Sequence, residues 1–130
     1  MFDVQVWRYR RSPQVAEEAL DSIARYYRRV TTTASPMGRL VGLTMAVLLV
    51  ALVVQAIWGN EPLWVSVVSI PAALVGIGLA AARIFGQARR LGTRRDPPPV
   101  QSEFARGIFR AHIVCLAAMV TLLAAQLAGA

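Results

Sequence analysis

The chain has 130 residues, 56% of them apolar, with a mean hydropathy of +0.50 and a net charge of +7. It is too apolar for a soluble domain of this length, and its charge stands apart from the apolar stretches rather than lining a groove, so no nucleic-acid partner is expected. One Cys and one His exclude a disulfide framework and a self-contained zinc site.

Residues 1–37 read as an N-terminal cytoplasmic segment. Phe2, Val4 and Val6 alternate with Asp3 and Gln5, the pattern of a strand or of a flexible tail. An ordered strand there would need a partner sheet. Ser12-Pro13 then marks a helix start, with Ser12 as N-cap and Pro13 at the first helical position. The expected amphipathic helix covers residues 13–30. Glu17, Glu18 and Asp21 precede Arg25, Arg28 and Arg29, an order that complements the helix dipole. Ala16, Leu20, Ile23, Tyr27 and Val30 form its apolar stripe. Three settings fit this helix: the membrane interface, a partner's cytoplasmic domain, or the protein's own inner loop.

Three apolar stretches follow, at residues 40–58, 63–84 and 108–128, within a transmembrane domain over 38–130. The first contains no ionisable residue, and as a helix it reaches about 28 Å, close to a hydrocarbon core. The four-residue linker Gly59-Asn60-Glu61-Pro62 joins the first two as an antiparallel hairpin, flanked by Trp58 and Trp64 at belt positions. Pro71 is expected to bend the second stretch. The connection over residues 86–103 reads as a cytoplasmic loop, its Pro97-Pro98-Pro99 run an extended spacer.

All fourteen basic residues are arginines, and all lie before the first stretch or around the second connection. The positive-inside rule therefore puts the N-terminus in the cytoplasm and the C-terminus outside, in a bacterial inner membrane. The fold class is all-α integral membrane: three transmembrane helices plus the N-terminal cytoplasmic amphipathic helix.

No catalytic or metal-ligand constellation is legible, and no cofactor is implied. His112 is the single candidate for a cofactor contact. A bis-histidine haem lacks its second His, Met45 or Met119 could complete a His/Met pair in principle though no spacing argues for it, and an interfacial His is the plainer reading. Arg83, Arg106, Arg110, Arg28 and Arg29 are candidate contacts for anionic phospholipid headgroups. Small residues share a face in each span: Gly38, Gly42 and Ala46; Ala72, Gly76 and Ala80; Ala117, Thr121 and Ala125, extended by Gly129. Such faces allow close helix approach, and three of them exceed what a three-helix protein needs for itself. No membrane-buried acid is present, which argues against proton-coupled transport. These features point to a non-catalytic accessory subunit of a larger membrane complex, with the respiratory chain as its setting and other integral membrane subunits as partners. An anionic-lipid-binding regulator and a small holin-like oligomer are the alternatives.

Overall fold

The structure, a computed structural model, describes residues 2–33 and 35–130, and the side-chain surroundings of all these except 2, 3, 32, 33, 35, 37 and 38. Every regular element among the described residues is helical: α1 (Phe2–Arg8), α2 (Glu17–Arg28) with a π-helical turn (Arg29–Thr33), α3 (Ser35–Trp58), α4 (Leu63–Leu79), α5 (Phe85–Thr93) and α6 (Pro98–Gly129). A second π-helical stretch, Ala80–Ile84, joins α4 to α5 without a break. Three helices are long and apolar enough to cross a membrane: Arg39–Trp58, the continuous Leu63–Thr93 and Pro98–Gly129.

The second of these has 31 residues, so it runs about 46 Å against about 30 Å for a hydrocarbon core. Its surplus lies at the arginine-bearing end. There α5 and the first turns of α6 form a platform on which α1 and α2 pack. Val6, Ile23, Tyr27, Ala88, Leu91, Ala105 and Ile108 make one buried cluster, with Phe104 and Phe109 against it. Of the three settings for the N-terminal helix, the structure shows the third: Leu20, Ile23, Ala24 and Tyr27 are buried within the protein itself.

Several local expectations change. Residues 2–8 are helical, not a strand or a tail, because tertiary burial overrides the two-residue alternation. Val6 is 1% exposed in the platform cluster while Val4 points outward. The second helix starts at Glu17 rather than at Pro13. Ser12 does not cap it. Its carbonyl accepts a hydrogen bond from Arg106, and the Val15 N–H donates to Ser102 Oγ at 3.1 Å, which pins residues 12–15 to α6. The loop over 86–103 shrinks to residues 94–97, since α5 prolongs the second span and α6 begins at Pro98. Only Pro97 is extended (φ −60°, ψ 151°). Pro98 and Pro99 occupy the first helical turn, where a missing N–H costs nothing. Pro71 lies on the exposed side of α4, and the helix continues through it.

Helices α4 and α6 pack antiparallel in steady register. Val65 lies beside Gly129, Ser69 beside Gln126, and Gly76 beside Met119. Between the last two pairs, Ala73 and Leu122 share a buried cluster with Leu52 of α3. The small-residue face Ala72, Gly76 and Ala80 is therefore used inside the molecule, against α6. A Leu at Gly76 would press on Met119 of the same chain, and so it does not probe a partner interface. Ala125 is buried and Gly129 half-buried against α4, while Ala117 and Thr121 are exposed. In α3, Gly42 and Ala46 are exposed, and a Cβ on Gly42 would meet nothing within 4 Å. The surroundings of Gly38 lie outside the described residues.

The α5–α6 turn is closed by Arg94, the one non-glycine with positive φ (54°) among the described residues. Its guanidinium bonds Gln101 Oε1 at 2.7 Å and Asp21 at 2.8 Å, and it also pairs with Glu17. The left-handed conformation costs a non-glycine residue roughly 1–2 kcal/mol, so the arginine is held there by what its side chain clamps. Arg94→Ala removes the clamp and keeps the strain; Arg94→Gly removes both. Arg94→Gly is expected to be more stable than Arg94→Ala by about 1 kcal/mol in denaturant titrations. Coincident midpoints would contradict this account of the turn.

Candidate ligand-binding cleft

Helix α3 is the least integrated of the long helices. Only 6% of its apolar window is buried, against 28% and 22% for the other two. It is fastened at the hairpin end. Gln55 Nε2 donates to Gln126 Oε1 at 2.9 Å, and Gln126 Nε2 donates to the fully buried Ser69 Oγ at 3.0 Å, so one polar chain ties α3, α6 and α4. Leu52, Ala73 and Leu122 close the space beneath it. Toward the arginine-bearing end α3 stands away from α4 and α6, leaving a partly open cleft of about 960 Å³.

Each wall follows from helical spacing. Val41, Met45 and Leu48 lie along one face of α3. Gly76, Ile77, Ala80, Ile84 and Ala88 line the opposite side, on the continuous helix from α4 to α5. His112, Cys115 and Met119 come from α6 at three- and four-residue steps. Ser22, Ile23, Tyr26 and Tyr27 of α2 roof the cleft. Along the second helix the lining runs from Gly76 to Arg89, about 20 Å, a little more than half the thickness of a hydrocarbon core.

The lining changes character with depth. Met45, Leu48, Gly76 and Met119 make the deep end apolar. Arg39 of α3 and Arg89 of α5 stand at the mouth with Gln5 and Thr31, and among the described residues no carboxylate lines the cleft. Neither arginine forms an ion pair among the described residues. A shallower recess of about 330 Å³ adjoins the mouth through Thr31 and Arg89, and Arg28 and Arg95 add to its wall. An elongated apolar slot with a cationic mouth suits an amphiphile carrying one or more hydrocarbon chains.

The sequence-based candidates distribute unevenly around this site. His112 is half-buried in the cleft wall, where Met45 and Met119 also converge. Among the described residues no group of His, Cys, Asp and Glu is placed to hold a metal ion. Arg28 lines the adjoining recess and donates to the Gly92 carbonyl at 3.4 Å. Arg29, Arg83 and Arg110 are exposed outside both. Arg106 is half-buried and turned toward Ser12. Arg39 and Arg89 were not singled out by sequence reasoning. Their approach depends on the rotation of two helices far apart in the chain, for which the sequence carries no signal. No family model, curated protein or solved structure matches the chain.

Proposed function

We propose that the chain is a non-catalytic, multi-pass membrane protein that holds an amphiphile between α3 and the α4–α6 pair. The observation that carries this reading is the cleft itself: about 960 Å³, apolar at depth, and bordered by two arginines with no opposing acid among the described residues. Segregation of the arginines at one end of the helices supports an orientation with that end, and the N-terminus, in the cytoplasm. The cleft would then face the inner leaflet, and its length suits a chain of that leaflet.

The test is extraction of the protein in a mild detergent followed by mass spectrometry of what stays bound. A near-stoichiometric amphiphile is expected in the wild type. It should be lost in Met45→Trp, which fills the cleft from the side of its most loosely packed helix. Absence of any retained amphiphile, or equal retention by Met45→Trp, rejects the reading. The same sample is expected to show no Soret absorption. A Soret band abolished by His112→Ala would put a haem in the cleft instead.

A second reading keeps the protein as an accessory subunit of a larger membrane complex, respiratory or otherwise. The uncovered face of α3, with Gly42 and Ala46 outward, favours it because a neighbouring helix can approach closely there. Co-migration with a larger assembly on a native gel would support that reading, and migration as a lone small species would remove it.

A further inference from the structure

We infer that the cleft selects an anionic, phosphate-headed phospholipid, and that Arg39 and Arg89 are the selecting residues. This rests on the cleft being an amphiphile site, and it adds the chemical class of the headgroup. Charge decides the class. Arg39 and Arg89 border the mouth from two different helices, and Arg28 and Arg95 continue the positive wall into the adjoining recess. Among the described residues the acids of the neighbouring segments are otherwise engaged. Glu17 and Asp21 pair with Arg94, and Asp96 pairs with Arg90 at 2.6 Å. A zwitterionic head would bring a quaternary or primary ammonium toward this wall and find no carboxylate among the described lining residues to receive it. A phosphodiester with no compensating cation meets two guanidinium groups, each able to donate paired hydrogen bonds to phosphate oxygens.

The depth of the site argues for a lipid rather than a free anion. The arginines sit at one end of a slot whose far end is lined by Met45, Leu48, Gly76 and Met119. A bound headgroup therefore places its chains along α3 and α4, and binding ties the loosely held end of α3 to α5. The headgroup bridges two helices that otherwise diverge at this end, so the lipid acts as a missing packing element.

The experiment titrates the purified, delipidated full-length chain with phosphatidylglycerol and with phosphatidylcholine of identical acyl chains, in a non-ionic detergent. Bound lipid is read by native mass spectrometry. Phosphatidylglycerol is expected to bind about tenfold or more tightly than phosphatidylcholine. The double variant Arg39→Gln/Arg89→Gln should bind both lipids alike, at the phosphatidylcholine level. Arg83→Gln, exposed and outside the cleft, should keep the wild-type preference. Equal affinities in the wild type, or a preference that survives the double variant, overturn the headgroup assignment while leaving the cleft as a lipid site. Met45→Trp separates the two claims: if it weakens neither lipid, the cleft itself is not the site. Millimolar inorganic phosphate is expected to leave lipid binding unchanged. Complete competition by phosphate, together with indifference to chain length, would make the site one for free anions and overturn the inference.

Discussion

Leu91→Ala is expected to release α1 and α2 from the platform while the three long helices stay folded. Leu91 is fully buried on α5, in the cluster that holds Val6, Ile23 and Tyr27 against Ala105 and Ile108. Truncation of a buried leucine costs about 2–5 kcal/mol, made up of lost transfer energy and the cavity left behind. Polar bonds cannot make up the difference. The Arg28–Gly92 contact is long at 3.4 Å, and the carboxylates that Arg94 clamps are largely exposed and weakly stabilising. A loss of about 3 kcal/mol corresponds to a hundredfold or greater fall in amide-exchange protection over residues 17–28. Protection over residues 63–79 should not change, because the cluster of Leu52, Ala73 and Leu122 is separate. Leu91→Met, which conserves volume, should cost less than about 1.5 kcal/mol. If protection in α2 falls equally in both variants, or in neither, the platform is not what holds it.

The second large effect is expected from Gln126→Leu. Gln126 sits between two partners, accepting from Gln55 and donating to Ser69. The leucine leaves Ser69, with no exposure to solvent, without the donor it now accepts from, and leaves Gln55 with no acceptor on α6. In an apolar surround that amounts to about 1–2 kcal/mol. The structural consequence is larger than the energy suggests, since this chain of bonds is the side-chain tie that fastens α3 to α6. Spin labels at the exposed positions Val54 and Leu127 should report a longer and broader distance distribution in Gln126→Leu than in the wild type. An unchanged distribution would mean that the Leu52 cluster alone sets the position of α3.

The three apolar helices were legible because each is a long run of one chemical character, and the hairpin because four residues leave no other geometry. Where the helices stop was not legible. Hydropathy marks the apolar part of a helix, whereas α5 and the start of α6 are polar helix, held by the N-terminal segment packed on them. The same coupling explains Phe2, Val4 and Val6. Their alternation is real, but the packing of α1, with Val6 buried and Gln5 bonded to Ser22, goes with a helix. Small-residue faces were visible as faces, and periodicity cannot say which of them turns inward. In the molecule the α4 face meets α6, whereas Gly42 and Ala46 of the α3 face are exposed. The cleft was hidden for a related reason. Arg39 and Arg89 look like any other arginines at the basic end, and only the divergence of α3 makes them the border of a shared space.

The docking of the N-terminal helices has a consequence for how the chain is made. A polypeptide is synthesised from its N-terminus, and segments fold as their partners become available. Here the partners of α1 and α2 come much later in the chain. Arg28 waits for Gly92, 64 residues later, and Val15 waits for Ser102, 87 residues later. Until α5 and α6 have emerged, the stripe of Leu20, Ile23 and Tyr27 lacks the residues of its own chain that cover it. Nascent chains arrested before residue 85 should therefore be cut readily by protease within residues 9–28, and chains in which α6 is complete should resist. Closure of the platform is thus a built-in report that α5 and α6 have been delivered, made by helices that were translated before them.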